Sequence, residues 1–354
     1  MKRAGLTIAV LLIAYTGFGQ GTSLKIGVDE RVELITALQL ISKSSVITLS
    51  NADIAYAKEV TDKFGKYVNH PAVVSFDSVY NRYFNFEMPF QLILHYSLPG
   101  FKVIAPLSAT EFSPTRQYNK NADSLALFIK QLKDFYEQSG FHAFFKAHSK
   151  FYDSLSNDVS STLAHKNIVP VLEKYYGRSF NTYNLVLSPL SLDGGFGITV
   201  KNRKESYVYA IIGPAYTSKV YPEFKKSKTV VIHEMSHPFS NPVVDSGWNS
   251  IKKDTCLYRT VIKDMQKEGY WGWMAVVYET LNRANEVVLT KKIYGEKEGN
   301  DLYDNYISKK YIYLPLCLGV LEKYKADRKK YPAITGISNL LIQAFEEEKN
   351  KSCR

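Results

Sequence analysis

Two histidines four residues apart, with a glutamate directly after the first, constrain this chain more than any other feature: His233-Glu234-Met235-Ser236-His237. On a helix that spacing stacks both imidazoles on one face, one turn apart. Two nitrogens can then converge on one tetrahedral Zn2+. Glu234 in such a segment leans toward the metal's water and serves as general base, while the metal lowers the water's pKa to about 7. Only three positions of the pattern are fixed, so the alternative is a surface helix with two unliganded histidines. Val230, Val231 and Ile232 argue for a buried helix start instead. Pro238 lacks the N–H that would bond the carbonyl of Glu234, so a kink is expected, with the helix ending at Pro242. Asn241 lies one turn beyond His237. It either orients that ligand or caps the helix end.

A catalytic zinc needs a third protein ligand and an open position. No histidine follows His237. The segment from Trp273 to Ala284 is apolar and carries one acid, Glu279, which needs a partner there. The metal is one candidate partner and Arg283, four residues on, is the other. Glu286, seven residues from Glu279 and on nearly the same face, is the reserve ligand. His142 and His148 have no ligand-spaced partner and are read as surface or core residues.

Elsewhere the chain alternates between helical stripes and short β-like runs. Arg31 to Ile41 and Asp123 to about Leu155 read as helices. Val46 to Leu49, Phe90 to Tyr96, Phe101 to Ile104, Tyr183 to Leu187 and Tyr207 to Ile212 read as strands. Asn51 is a candidate cap for a helix reaching about Tyr67. Ser156 to Ser161 reads as a boundary or loop, and Gly194-Gly195-Phe196-Gly197 as a flexible turn without the Lys-Ser or Lys-Thr of a phosphate loop. The last third is helical.

The first residues, with Lys2 and Arg3 before an apolar run from Leu6 to Ala14, have the form of a signal peptide ending at Gly19. Export to the periplasm or beyond is the expectation, with no stable membrane insertion after cleavage. The net charge of +11 is spread along the chain and not gathered in a stripe, so no nucleic-acid site is expected. Cys256, Cys317 and Cys353 allow at most one intramolecular bridge and are too scattered for a zinc–thiolate site.

Several segments resemble a family of exported bacterial proteins catalogued as domain of unknown function 4932. They are Val28-Asp29-Glu30-Arg31-Val32-Glu33-Leu34, His70-Pro71-Ala72-Val73, the Phe-rich stretch from Phe135 to Tyr152, the His233–His237 motif with Asn241-Pro242, and Glu279 with Arg283-Ala284. The arrangement is similar to the gluzincin pattern, in which a glutamate on a later helix completes the metal site; Pro238 departs from the common pattern.

Taken together, the chain is expected to adopt an α+β zincin-like metallopeptidase fold. Residues 1–19 form the signal peptide, 20–163 a mixed helix and strand portion, and 164–354 the catalytic portion. The expected ligands are His233, His237 and Glu279, with Glu234 as base and Arg283 and Asn241 in support. The expected function is zinc-dependent hydrolysis of peptide bonds in a peptide or protein substrate. The alternative is an exported binding or scaffolding protein that keeps the fold without turnover. Tyr207 to Ile212 is expected to edge the cleft and receive an extended peptide.

Overall fold

A computed structural model of the chain describes residues 23–42, 54–83, 87–107, 118–215, 221–224 and 227–353. The expected signal peptide, the strand at Val46 to Leu49 and the cap at Asn51 lie outside the described residues. In chain order the elements are β1 (Leu24–Gly27), α1 (Glu30–Ser42), α2 (Ala55–Phe64), α3 (Pro71–Tyr83), α4 (Met88–Leu94), β2 (Tyr96–Ser97) and β3 (Lys102–Val103). Then come α5 (Tyr118–Ser139), α6 (Phe141–Ala147), α7 (Ser149–Thr162), α8 (Val169–Tyr176), β4 (Thr182–Leu187), β5 (Gly194–Lys201) and β6 (Ser206–Gly213). The remainder is helical: α9 (Ser227–Ile251), α10 (Thr255–Lys267), α11 (Trp273–Tyr294), α12 (Glu296–Ser308), α13 (Leu314–Ala326) and α14 (Ser338–Ser352). The fold is α+β and mostly helical.

The sheet has the order β1-β4-β6-β5, parallel except for β5, which runs antiparallel to β6. Strand alternation sends neighbouring residues to opposite faces, and the two faces feed two cores. Tyr183, Leu185 and Leu187 of β4 and Val208, Ala210 and Ile212 of β6 join the core formed with α9, α11, α13 and α14. Val186, Tyr209 and Ile211 join the other, built on α1 to α5, together with Ile198 and Val200 of β5. Burial on both faces explains why β6 reads as an unbroken apolar run.

Five expectations change here. Tyr207 to Ile212 lies within β6, an interior strand paired on both sides, so it cannot edge a cleft; the edge belongs to β5. The glycine-rich stretch from Gly194 is the start of that strand and not a turn. Phe90 to Tyr96 is largely helix α4, started by Pro89, whose fixed φ suits a first helical turn. Ser156 to Ser161 lies inside α7, whose Tyr152, Leu155 and Val159 are buried while serines fill the solvent side. Finally, α9 runs through Pro238 and Pro242 to Ile251 and does not stop.

That continuity has local causes. Packing outweighs the two lost backbone bonds: Val231, Ile232, Met235, Phe239, Val243 and Val244 are buried, and Phe239 stacks on Tyr176 at 4.3 Å between ring centroids. Polar side chains also bond backbone carbonyls along this stretch. Ser236 Oγ donates to the Ile232 carbonyl, Ser240 Oγ to that of Ser236, and Asn282 Nδ2 of α11 to that of His233 at 2.9 Å.

The one disulfide among the described residues joins Cys256 to Cys353, tying α10 to the C-terminal end of α14; Cys317 is buried and free. No helix among the described residues is long and apolar enough to cross a membrane.

Candidate metal centre

Helices α9 and α11 pack against each other and bring three side chains to one point. His233 Nε2 and His237 Nε2 are 3.2 Å apart. Glu279 Oε2 lies 3.3 Å from His233 Nε2, and its Oε1 lies 3.5 Å from His237 Nε2. Metal–ligand bonds of about 2.0–2.1 Å at tetrahedral angles would separate donors by about 3.3–3.4 Å, so these spacings match a zinc-sized cation.

The other ring nitrogens are already engaged. His233 Nδ1 lies 3.0 Å from Glu286 Oε2, and His237 Nδ1 lies 3.1 Å from Asn241 Oδ1. With the protons on Nδ1, both Nε2 lone pairs face the same point, an arrangement that a cation between them relieves. Glu279 Oε2 is a buried oxygen without a hydrogen bond, as a ligand atom would be. These are the observations by which a metal fits this donor set.

Arg283 stands beside Glu279, as expected, and more closely beside Glu286. Its Nη2 is 3.9 Å from Glu279 Oε2, whereas its Nη1 is 3.2 Å from Glu286 Oε2. Tyr306 donates to the same Glu286 oxygen at 2.6 Å and accepts from Arg283 Nη1, while Arg283 Nη2 reaches Tyr270 Oη at 3.0 Å. Glu286, the reserve ligand, therefore stands behind His233 and not at the convergence point. Asn241 is in mid-helix, so it acts on His237 and caps nothing. His142 and His148 are elsewhere, paired with Glu30 and Glu59.

A family model described as Domain of unknown function (DUF4932) matches residues 24–343. The chain belongs to that family. No curated protein and no solved structure matches it. In this DUF4932 protein the matched span takes in the whole sheet and every residue of the candidate centre.

Electrostatics around the centre separate the carboxyls. Burial pushes Glu234 up to about 7, with the charges of Glu279 and Glu286 adding to the push and those of His233 and Arg283 opposing it. Burial also disfavours the ionised forms of Glu279 and Glu286, yet both are held below the usual carboxylate range, Glu279 by His237, His233 and Arg283, and Glu286 by His233, Arg283 and the Tyr306 hydroxyl. In His233, burial and Arg283 oppose the proton, but the glutamates win and raise the imidazole to about 9. Burial lowers His237 to about 4.

The edge strand closes the site from above. Glycine is required at two alternate positions of β5. A Cβ at Gly197 would stand 2.3 Å from the Glu234 carbonyl oxygen, and one at Gly195 would stand 2.7 Å from Glu234 Cγ. The Glu234 carbonyl is the one that Pro238 leaves without its helical donor. The period-two run Gly195, Gly197, Thr199 against Phe196, Ile198, Val200 was the available signal for this strand.

Proposed function

We propose that this DUF4932 protein is a zinc-dependent peptidase with a zincin-like fold. The convergence of His233 Nε2, His237 Nε2 and the Glu279 carboxylate carries the reading, because these donors all lie within 4.8 Å of one another, the one such group of three among the described residues. When bound, zinc supplies a Lewis acid that polarises a carbonyl and makes water a nucleophile near neutral pH.

The chain's own residues do the rest. Glu234 points into the same space, with its Oε2 3.9 Å from His237 Nε2, and is not among the converging ligands. It takes the proton of the attacking water and returns it to the leaving amine. Glu286, held by Arg283 and Tyr306, fixes the His233 tautomer, and Asn241 does the same for His237.

The free edge of β5 is where a peptide would align, adding a strand through backbone hydrogen bonds. Its passage over Glu234 would set a scissile carbonyl beside the base. The Cys256–Cys353 disulfide suits an exported protein.

The test is elemental analysis combined with cleavage of a peptide library. Close to one zinc per chain is expected. Glu234→Gln should keep the metal and lose hydrolysis. Wild-type turnover in that variant refutes the general base, and zinc without cleavage by any variant favours the non-catalytic alternative.

A further inference from the structure

One residue of α11 grips the backbone of α9 and has no part in the proposed reaction. Asn282 is fully buried, and both ends of its amide are engaged. Its Nδ2 donates to the His233 carbonyl at 2.9 Å, and its Oδ1 accepts from Ser240 Oγ at 2.9 Å. It lies three residues after Glu279 and four before Glu286, on the face of α11 from which both reach His233. Three positions of one helix therefore hold one histidine. Glu279 meets its Nε2, Glu286 its Nδ1 and Asn282 its carbonyl.

The two partners of Asn282 stand on either side of Pro238. That proline removes the helical bond to the Glu234 carbonyl, and its ring crowds the same carbonyl. Pro242 removes the next bond on that stripe, the one to the carbonyl of Pro238. A helix that lacks such bonds bends there. The first missing bond spans residues 234–238, the turn that separates the two ligand histidines. A bend in that turn changes the distance from the His233 carbonyl to Ser240, and with it the angle between the two imidazoles. One rigid amide bonded at both places fixes that distance.

Resting on the zinc reading above, we propose that Asn282 is a positioning residue of the metal centre: it clamps α9 across Pro238, so that His233 and His237 keep the spacing at which their Nε2 atoms and the Glu279 carboxylate share one cation.

Packing alone does not require an amide here. Asparagine is a poor helix former, and its amide is costly to bury. Neither partner depends on it for a bond. The His233 carbonyl lies inside α9, where the His237 N–H is its helical donor. Ser240 Oγ also lies 3.1 Å from the Ser236 carbonyl. A leucine of similar volume would therefore leave no buried group unpaired, and the variant should fold. What it would lose is the fixed link between the two sides of Pro238.

Asn282→Leu and Pro238→Ala test the clamp, singly and together. Pro238→Ala returns the missing N–H, so α9 in that background holds its own geometry. In the wild-type background Asn282→Leu should weaken zinc binding about 10–100-fold. In the Pro238→Ala background the same change should weaken it about twofold or less. Competition with a chelator reads all four proteins. The visible absorption of bound Co2+ should shift in Asn282→Leu, because the donor geometry changes, and in the double variant it should match that of Pro238→Ala. Wild-type zinc affinity in Asn282→Leu overturns the assignment. So does an equal loss in both backgrounds, which would make Asn282 a packing residue only.

Amide hydrogen exchange in the metal-free proteins needs no zinc. Asn282→Leu should speed exchange at His237 and Phe239 about tenfold, and Pro238→Ala should reverse it. That result supports the clamp even if the wild type binds no zinc, in which case the metal reading alone fails. Unchanged exchange at both amides rejects the clamp even if zinc is bound.

Discussion

Glu279 and Glu33 are both acids set in apolar helices, and the protein holds them in opposite ways. Around Glu279 the neighbours are His233, His237 and Arg283, groups that can carry or attract positive charge. Around Glu33 they are hydroxyls. Tyr56 donates to its Oε2 at 2.9 Å and Ser188 to its Oε1 at 3.2 Å, with Thr36 at 3.5 Å and Tyr152 relaying from Tyr56 at 2.6 Å. The first carboxyl is held ionised. The second is driven by burial up to about 7, against the pull of those hydroxyls. An acid buried in a helix is thus not by itself a ligand. What decides is whether its neighbours are cation ligands or neutral donors. Glu33 joins α1 and α2 to the loop after β4 as a polar staple, while Glu279 completes a donor set.

The largest effect should separate the two outright. Glu279→Ala, like His233→Ala or His237→Ala, is expected to weaken zinc binding by about 1000-fold, since one ligand of three carries roughly 4 kcal/mol of a total near 10–16 kcal/mol. Glu33→Ala should leave zinc affinity where it was. Competition with a chelator of known affinity reads both, and tight zinc in the Glu279 variant would dismantle the assigned site.

Next in size is the support behind His233. Glu286→Gln keeps a hydrogen-bond acceptor but loses the charge, and zinc affinity should fall about 10–100-fold. The pH dependence follows from the same pair. His233 must lose its proton to bind metal, and its glutamate neighbours raise it to about 9. Affinity in the wild type should therefore rise with pH up to about 9 and level off beyond. In Glu286→Gln the plateau should begin at lower pH. A plateau at the same pH in both proteins would show that Glu286 does not set the proton on His233.

The third effect belongs to Glu33 and appears in stability. Its folded pKa, about 7, lies above the ordinary 4.5. The fold therefore holds this proton more tightly than the unfolded chain does. That contribution is fully present below about pH 4.5 and is lost as the pH rises through about 7. Between pH 5 and 8 the wild type should lose about 2 kcal/mol more than Glu33→Gln, which has no proton to release. Chemical denaturation at the two pH values measures it. Parallel losses in both proteins would mean that Glu33 is not the titrating group.

Much of the centre was legible because it is local. His233, Glu234 and His237 share one turn and a half of helix, so spacing alone aligns them. Glu279 stood out as an acid in an apolar stretch. What the spacing could not show is which nitrogen of each ring was already taken. Glu286 meets His233 Nδ1 only because α11 packs on α9, and Arg283 turns to Glu286 because Tyr306 and Tyr270 wait there. The edge strand was misread for a related reason. Glycines at Gly195 and Gly197 weaken a strand by local measures, yet the close approach of Glu234 admits nothing larger. In α4, the short apolar run from Phe90 has the length and composition of a strand, but Pro89 sets it off as a helix.

The smallest effect comes from histidines that have the same partner and none of the convergence. His142 Nδ1 lies 2.8 Å from Glu30 Oε1, and His148 Nε2 lies 2.9 Å from Glu59 Oε2. By pairwise distance these contacts are as close as His233 with Glu286. In each, however, one partner is well exposed, His142 in the first and Glu59 in the second. Water competes for the charge and no second imidazole points at the same oxygen. Pairs of this kind are worth about 0.2–1 kcal/mol. His142→Gln and His148→Gln should therefore lower stability by no more than that and leave the zinc stoichiometry at its wild-type value. Elemental analysis beside a denaturation curve checks each. A loss of zinc in either variant would place a ligand in the N-terminal half and erase the difference between these pairs and the centre, because histidine–carboxylate contact alone would then be enough to make a site.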